Sequence, residues 1–162
     1  APKAEEKDVF KSLRLSSGFV PYSFQKLYTD ETSLTGVGFK ASAFKYYKSH
    51  HIALGLEYTG ITHQYETKSF SSQEGIMKFR TYIPFNKTAD SMMYFSAGIG
   101  GALITENNGQ TQLFGLGAAD LGFAFRLADN LALEASANAV FAFRRYLRSF
   151  DIDATIGLSY RF

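Results

Sequence analysis

Two long segments near the C-terminal end of the sequence alternate between apolar and polar residues without a break. LALEASANAVFAF (residues 131–143) and FDIDATIGLSYRF (residues 150–162) each place every second residue on an apolar face. A period of two residues is the pattern of a β-strand. Strands of soluble proteins are mostly about five or six residues long, whereas a tilted strand that crosses a bilayer needs about 9–11. Both segments are therefore long enough for a membrane-spanning strand.

Six earlier segments carry the same alternation with some irregularity. They predict strands near residues 10–21, 35–46, 51–63, 75–85, 92–104 and 111–126. An even number of antiparallel strands closes into an up-and-down barrel with both chain ends on one side. In the sixth segment Phe114 and Leu116 fall on the polar face, which indicates either a bulge or an apolar patch inside the barrel. The prediction is an all-β fold, an eight-stranded antiparallel up-and-down transmembrane β-barrel that forms a single domain over residues 1–162.

The predicted connections differ between the two ends of the barrel. KSH, NKTADS and ADN, which follow the second, fourth and sixth strands, are short and rich in turn residues. SFQKLYTDETS, QYETKSFSSQ and ENNGQ follow the odd-numbered strands, and the last of these connections, YLRS, is short. Short turns at one end and mostly longer loops at the other are typical of outer membrane barrels, whose turns and termini face the periplasm.

The choice between a soluble and a membrane barrel depends on which face points inward. No apolar run is long enough for a membrane helix. Of the 14 Gly, several lie on the polar face, where the narrow interior of an eight-stranded barrel accepts small residues. Many of the 16 Phe crowd the apolar face, where lipid accommodates them more easily than a narrow lumen does. We therefore predict that the apolar face is the outside; the alternative is a soluble, lipocalin-like carrier.

Charged residues on the polar face are balanced in sign, and buried charges must pair because isolated ones cost several kcal/mol each. We predict an interior salt-bridge network of Arg14, Lys40, Glu57, Lys78, Arg80, Asp120, Glu134 and Asp153. The network is either a static polar core that plugs the barrel or a narrow, gated pore with Arg80 and Glu134 as gate partners. The whole chain has 17 Lys and Arg against 15 Asp and Glu, which gives no reason to expect a nucleic-acid partner.

Four further groups of residues bear on function. The segment RRYLR places Arg144, Arg145 and Arg148 at the predicted outer rim, where Arg can bind the phosphates of lipopolysaccharide. His63, at the loop end of the third strand, has nearby in sequence the residue types that a Ser/His/acid hydrolase would need: Ser69, Ser71, Ser72, Glu66 and Glu74. The adjacent His50 and His51 would point apart on an extended chain, so no metal site is predicted. Aromatic residues near strand ends are predicted to form interfacial girdles: Tyr22, Phe24, Tyr46, Tyr47, Tyr65, Phe85, Phe150 and Tyr160.

The last strand also carries a motif of known type. Thr155, Gly157, Tyr160 and the terminal Phe162 match the C-terminal assembly signal of outer membrane barrels. YFSAGIGGAL (94–103), GLGAADLGFAFRLADNLALEASA (115–137) and the start APK are similar to the same class. The chain thus resembles the small eight-stranded outer membrane β-barrel proteins of Gram-negative bacteria, the family of the outer membrane protein A barrel. The resemblance implies an outer membrane location, insertion by the barrel assembly machinery and no cofactor.

The family's members serve as anchors, adhesins, small porin-like pores or lipid A-modifying enzymes, so the resemblance leaves the role open. We predict a non-enzymatic barrel with a plugged polar interior and a structural or surface-interaction role in adhesion or lipopolysaccharide contact. The alternatives are a narrow pore for ions or small solutes and an outer-leaflet lipid A-modifying enzyme. Predicted partners are outer membrane lipids, lipopolysaccharide, the assembly machinery and a host surface ligand, and the protein is expected to be a monomer. Residues 1–8 are expected to form a flexible periplasmic N-terminus.

Overall fold

The computed structural model describes residues 13–27, 33–47, 51–65, 68–85, 91–106, 109–144 and 146–162. These residues form eight β-strands that follow one another along the chain. The strands are β1 (Leu13–Leu27), β2 (Ser33–Tyr47), β3 (Ile52–Tyr65), β4 (Lys68–Pro84), β5 (Ser91–Glu106), β6 (Thr111–Ala128), β7 (Leu131–Arg144) and β8 (Tyr146–Arg161). In the part of the chain that the structure describes, no helix is long and apolar enough to cross a membrane.

The eight strands form a closed barrel in chain order, and every neighbouring pair is antiparallel. β1 and β8 complete the closure, with Leu15 opposite Tyr160 and Ser16 opposite Ser159. The backbone N–H of Phe162 donates to the carbonyl of Leu13 over 2.9 Å, so the described ends of the chain meet at one end of the barrel. We call this end the terminal end and the opposite one the distal end. The predicted eight-stranded antiparallel barrel is confirmed.

The distribution of apolar and charged side chains is inverted relative to a soluble protein. On the outer face, Phe19 is 76% exposed and Ile99 is 69% exposed, and 25 further large apolar side chains among the described residues are exposed with them. Inside, charged side chains such as Lys78, at 1%, are almost completely buried. The predicted orientation is therefore correct, and it is opposite to that of a lipocalin-like carrier. An apolar band of this kind is stable against lipid and costly against water.

A bulge at Pro21 changes which residues of β1 face outward. The pairing register shifts between Val20 and Ser23 against β2 and between Phe19 and Tyr22 against β8. Proline has no N–H to contribute to the sheet, and strands accommodate it at such irregularities. Odd-numbered residues face outward before the bulge and even-numbered residues after it, which explains why the alternation in the sequence stops near Phe19.

Several strands extend further toward the distal end than predicted. Residues 68–73, which were assigned to the QYETKSFSSQ loop, belong to β4, and residues 23–27 and 146–149 belong to β1 and β8. The predicted long loop after the third strand is therefore wrong. Ser71 and Gln73 are exposed on the outer face while Ser72 and Glu74 are buried inside. Because both faces of this stretch carry polar residues, the alternation that marks a lipid-facing strand is lost although the strand continues.

The two residues that broke the pattern in the sixth segment lie inside the barrel. β6 pairs with β5 without a register shift from Thr111 to Phe125, so the bulge alternative is wrong there. Leu116 is buried, and Phe114 packs partly buried beside it. They belong to an apolar cluster on the inner face of β4–β7, with Ile76, Ala102, Ala118, Val140 and Ala142, which we call the distal apolar cluster. The apolar-patch alternative is thus correct.

Candidate functional site: the lumen of the barrel

The centre of the lumen holds a group of ion pairs between different strands. Lys78 Nζ lies 2.6 Å from Glu57 Oε1 and 2.5 Å from Asp120 Oδ2. Lys40 Nζ lies 3.6 Å from Glu57 Oε1 and 3.7 Å from Asp153 Oδ1. All five side chains are buried. Each lysine therefore joins two carboxylates, and the chain of contacts runs from β8 through β2, β3 and β4 to β6.

Two arginines extend these ion pairs toward the terminal end. Arg14 Nη1 donates to Glu134 Oε1 over 3.2 Å. Arg80 Nε donates to Ser96 Oγ over 2.7 Å, and its Nη2 lies 4.0 Å from Asp120 Oδ1. The structure thus brings all eight residues of the predicted network into ion pairs. Arg80 and Glu134, considered above as gate partners, pair with Asp120 and Arg14 and not with each other.

The guanidinium of Arg80 is held between two aromatic rings. Its Cζ lies 3.9 Å from the ring centroid of Phe44 and 4.0 Å from that of Tyr94. We call these three residues the arginine clamp. A Cβ on Gly55 would lie 2.4 Å from the Phe44 ring and one on Gly122 only 2.1 Å from the Tyr94 ring. The absence of side chains at these two glycines therefore lets both rings lie flat against the wall, where they can stack on Arg80.

Further aromatic residues lie in the terminal half of the lumen around the clamp. The rings of Tyr46 and Tyr82 are 4.2 Å apart, and Arg14 Cζ lies 5.2 Å from the Tyr46 centroid. The Tyr46 hydroxyl donates to the sulfur of Met92 over 3.1 Å. Tyr46 was expected in an interfacial girdle, and that prediction is wrong. It shares the inner face of β2 with Phe44, and the residue parity along the strand could have revealed this.

A small polar cavity lies between the clamp and the ion pairs. It has a volume of about 30 Å³, and its lining includes Lys40, Glu57, Arg80, Glu134 and Thr155. A cavity of this size and polarity accommodates about one water molecule.

His63, the candidate base of a hydrolase, lies buried inside the barrel. Its Nε2 is 3.0 Å from the hydroxyl of Ser23, and the ring passes over Gly36, where a Cβ would lie 2.7 Å from His63 Cδ2. Of the serines and glutamates named near it, Ser71 is exposed on the outer face, Ser72 and Glu74 are buried inside the barrel, and Glu66 lies outside the described residues. The described residues therefore do not assemble the surface Ser/His/acid group that a lipid-cleaving enzyme would need.

Of the three arginines predicted to contact lipopolysaccharide, only Arg144 has a described side chain. Arg144 is exposed at the end of β7, where its Nη1 donates to Gln112 Oε1 over 2.9 Å. Arg145 lies outside the described residues, and Arg148 belongs to β8 but its side chain is not described. His50 also lies outside the described residues. Across the described ranges no three His, Cys, Asp or Glu side chains converge to hold a metal ion.

The residues of the predicted assembly signal divide between the two faces of β8. Thr155 is buried inside, and Gly157 packs so closely against β1 that a Cβ would lie 2.3 Å from the carbonyl oxygen of Ser17. Tyr160 and Phe162 face outward, with their ring centroids 5.0 Å apart in an edge-to-face arrangement. The aromatic pair is thus presented on the outer surface at the terminal end, next to the closing strand pair.

The fold and the inverted polarity together define a class, the small eight-stranded membrane barrels. Neisserial surface protein A is similar, with a TM-score of 0.77 and 11% identity over 93% of this chain and 97% of that one. Ail, the attachment invasion locus protein of Yersinia pestis, has a TM-score of 0.61 and 16% identity over 94% and 99% of the two chains. For the N-terminal β-barrel domain of Pseudomonas aeruginosa OprF the TM-score is 0.58 and the identity 13%, over 94% and 98%. No family model and no curated protein matches the sequence. The likeness extends over the whole barrel and establishes a shared fold.

Proposed function

We propose that the chain is an integral protein of the bacterial outer membrane with a plugged lumen and a structural or surface-interaction role, and that it is not an enzyme. The observation that carries the proposal is the filling of the lumen. The arginine clamp and the neighbouring aromatic residues are buried in the terminal half, and ion pairs connect most strands at the centre; both support a plugged lumen. A barrel closed in this way acts through its outer surface and its distal end. Both chain termini are then periplasmic, as in other barrels with short periplasmic turns.

Membrane location can be tested separately from the plug. The protein should sediment with the outer membrane fraction, and its unheated form should migrate faster on a denaturing gel than its heated form. Recovery of a folded monomer in the soluble fraction without detergent would refute the membrane location. A change of mobility on heating reports a stable barrel, so the two readouts separate folding from location.

A plugged lumen predicts that the protein does not conduct ions across a planar bilayer. Wild-type protein should give no large, steady openings. Arg80→Ala and Phe44→Ala together should increase conductance, because they remove two members of the clamp. The matched control is Arg126→Ala, which removes an exposed arginine near the end of β6. Large, steady openings of the wild type would refute the plugged lumen.

The surface role that we favour is contact with lipopolysaccharide. The support for it is that Arg144 is exposed at the end of β7 and that its guanidinium donates to Gln112, because an exposed guanidinium can bind a lipid phosphate. Replacing Arg144, Arg145 and Arg148 by Ala should weaken co-purification with lipopolysaccharide. Unchanged co-purification would remove this part of the proposal. Ail, whose crystal structure includes the heparin analogue sucrose octasulfate, illustrates a ligand on the same fold, and we propose a host surface ligand as a further partner.

A narrow pore is the second candidate, and the polar cavity beside Lys40 and Glu134 favours it. Its signature would be small, cation- or anion-selective openings in the wild type.

We further propose that the aromatic pair Tyr160 and Phe162 is recognised by the barrel assembly machinery, and that the protein acts as a monomer. A Phe162→Ala variant should assemble poorly in cells yet refold normally in detergent, whereas normal assembly would refute this recognition.

A further inference from the structure

Two buried acidic side chains of the described lumen lack a counter-charge. Six carboxyl groups are buried there but only four Lys and Arg side chains, and each of these four forms an ion pair with one or two of the carboxyl groups. The two acidic residues left over are Glu74 of β4 and Asp151 of β8, and neither forms an ion pair within the described ranges. Each is 4% exposed, so little water reaches it.

Asp151 has only neutral or acidic side chains around it in the described part of the chain. Its Oδ1 is buried without a hydrogen-bond partner there. Gln25, opposite it in the β1–β8 pairing, is a neutral amide that hydrogen-bonds to the Asp151 side chain. Val140, opposite it in the β7–β8 pairing, belongs to the distal apolar cluster. The acidic groups of Glu74 and Asp153 also act on Asp151, and both oppose a negative charge there.

Glu74 has no base of its own either. It lies opposite the neutral Thr59 in the β3–β4 pairing and opposite Ala102, a member of the distal apolar cluster, in the β4–β5 pairing. His63, which is also buried in the distal half, is bonded to Ser23.

The charges that act most strongly on Glu74 belong to two acids and two bases: Asp153, Glu57, Lys40 and Lys78. Each of the two lysines already contacts two other carboxylates, Lys78 those of Glu57 and Asp120 and Lys40 those of Glu57 and Asp153. Their positive charge is therefore balanced before Glu74 is considered.

We propose that Glu74 and Asp151 each hold a proton in the folded barrel at neutral pH, and that they thereby make the stability of the barrel sensitive to pH. A buried carboxyl group without a counter-charge is more favourable as the neutral acid, and nearby like charges strengthen this preference. In the unfolded chain both groups lie in water, where carboxyl groups lose their protons above about pH 4. Folding above that pH therefore takes up protons, and the contribution of the two residues to stability decreases as the pH rises.

The first test is infrared spectroscopy of the purified, refolded full chain in detergent at neutral pH, which detects the carbonyl stretch of protonated carboxyl groups. The wild type should show this band. Glu74→Gln and Asp151→Asn should each remove part of its intensity, and the double variant should remove the band. Asp129→Asn is the matched control, because it removes a carboxylate that is 94% exposed beyond the end of β6 and paired with Arg126. The control should keep the full band.

The second test compares urea unfolding of each variant with that of the wild type between about pH 5 and about pH 8. In the difference between variant and wild type the other titrating groups, including His63, cancel. The folding equilibrium constant of Glu74→Gln or Asp151→Asn, relative to that of the wild type, should increase with pH, by at most about tenfold per pH unit for each proton. The ratio for Asp129→Asn should not change with pH.

Three outcomes would overturn the proposal. The first is the absence of a protonated carboxyl band from the wild type at neutral pH. The second is a band that both site variants retain in full. The third is a stability ratio of the site variants that is constant or falls with pH, which would show that the two carboxyl groups are ionised in the folded barrel. If a variant does not fold, as judged by its gel mobility, the wild-type band alone decides, because every other buried carboxyl group of the described lumen is in an ion pair.

Discussion

Arg80→Ala is the sharpest test of the arginine clamp. The wild-type guanidinium stacks on Phe44 and Tyr94 at 3.9 and 4.0 Å, and desolvated contacts of this kind contribute up to about 2 kcal/mol each. Its hydrogen bond to Ser96, which involves a charged donor, contributes about 1.5–3 kcal/mol. The desolvation cost of the arginine, several kcal/mol, opposes these gains and disappears in the variant.

The net effect that we expect for Arg80→Ala is a loss of about 3 kcal/mol in the free energy of unfolding. This is the lower end of the range of about 3–5 kcal/mol for breaking a buried ion pair. The loss should be at the lower end because Asp120 keeps its contact with Lys78, so no carboxylate is left unpaired. In a second variant, Arg80→Met, the aliphatic chain still fills the space between the rings. It should lose less than Arg80→Ala if packing between the rings contributes as well as charge.

Urea titration in detergent micelles measures this loss. The chain has no Trp, so far-ultraviolet circular dichroism and gel mobility are the suitable signals. Arg126→Ala is the matched control, because its ion pair with Asp129 is exposed and worth at most about 1 kcal/mol. If Arg80→Ala loses no more stability than Arg126→Ala, the clamp does not stabilise the barrel and the reasoning is refuted.

Two further substitutions test the faces of the barrel. Leu133→Arg, on the lipid-facing side of β7, should lower the free energy of unfolding in a bilayer by about 2–4 kcal/mol if the residue lies near the midplane. Leu127→Arg, near the terminal turn, should lower it by only about 0–1 kcal/mol. Equal losses in the two variants would argue against this placement. Gly122→Ala should displace the Tyr94 ring, lower the free energy of unfolding by about 1–3 kcal/mol and so lower the urea midpoint. The control is Gly117→Ala, because its Cβ would make only an ordinary van der Waals contact at 3.6 Å. This variant should leave the midpoint unchanged or raise it. A Gly122→Ala variant as stable as Gly117→Ala would show that the ring moves freely.

Strands were predictable from the sequence where their two faces meet different surroundings. β7 and the C-terminal part of β8 face lipid on one side and the polar lumen on the other, so their alternation is complete. The beginning of β4 was missed because Ser71 and Gln73 on its outer face are as polar as Ser72 on its inner face. There the backbone hydrogen bonds to β3 and β5 continue the strand, and no side-chain pattern records them.

The candidate site was predictable as a set of residue types but not as a set of contacts. Charges on the inner face had to pair, and all eight of the charged residues named from the sequence are in ion pairs. The choice of partner could not be foreseen, because Arg14 and Glu134 lie 120 residues apart and meet only through the closure of β1 on β8. The arginine clamp escaped notice for the same reason, since Phe44 and Tyr94 reach Arg80 only where Gly55 and Gly122 leave room beside them.

The sequence by itself determined the barrel and its orientation, because alternation with apolar residues outside and small or charged residues inside is stable only for a closed sheet in lipid. It also determined that the inside would be polar and nearly neutral at its centre. The tertiary structure alone decided which charges pair, that Arg80 is stacked between two rings, and that Glu74 and Asp151 have no ion pair among the described residues. The reason is that contacts inside a barrel depend on the stagger between strands, and that stagger is set by the register of all eight strands together.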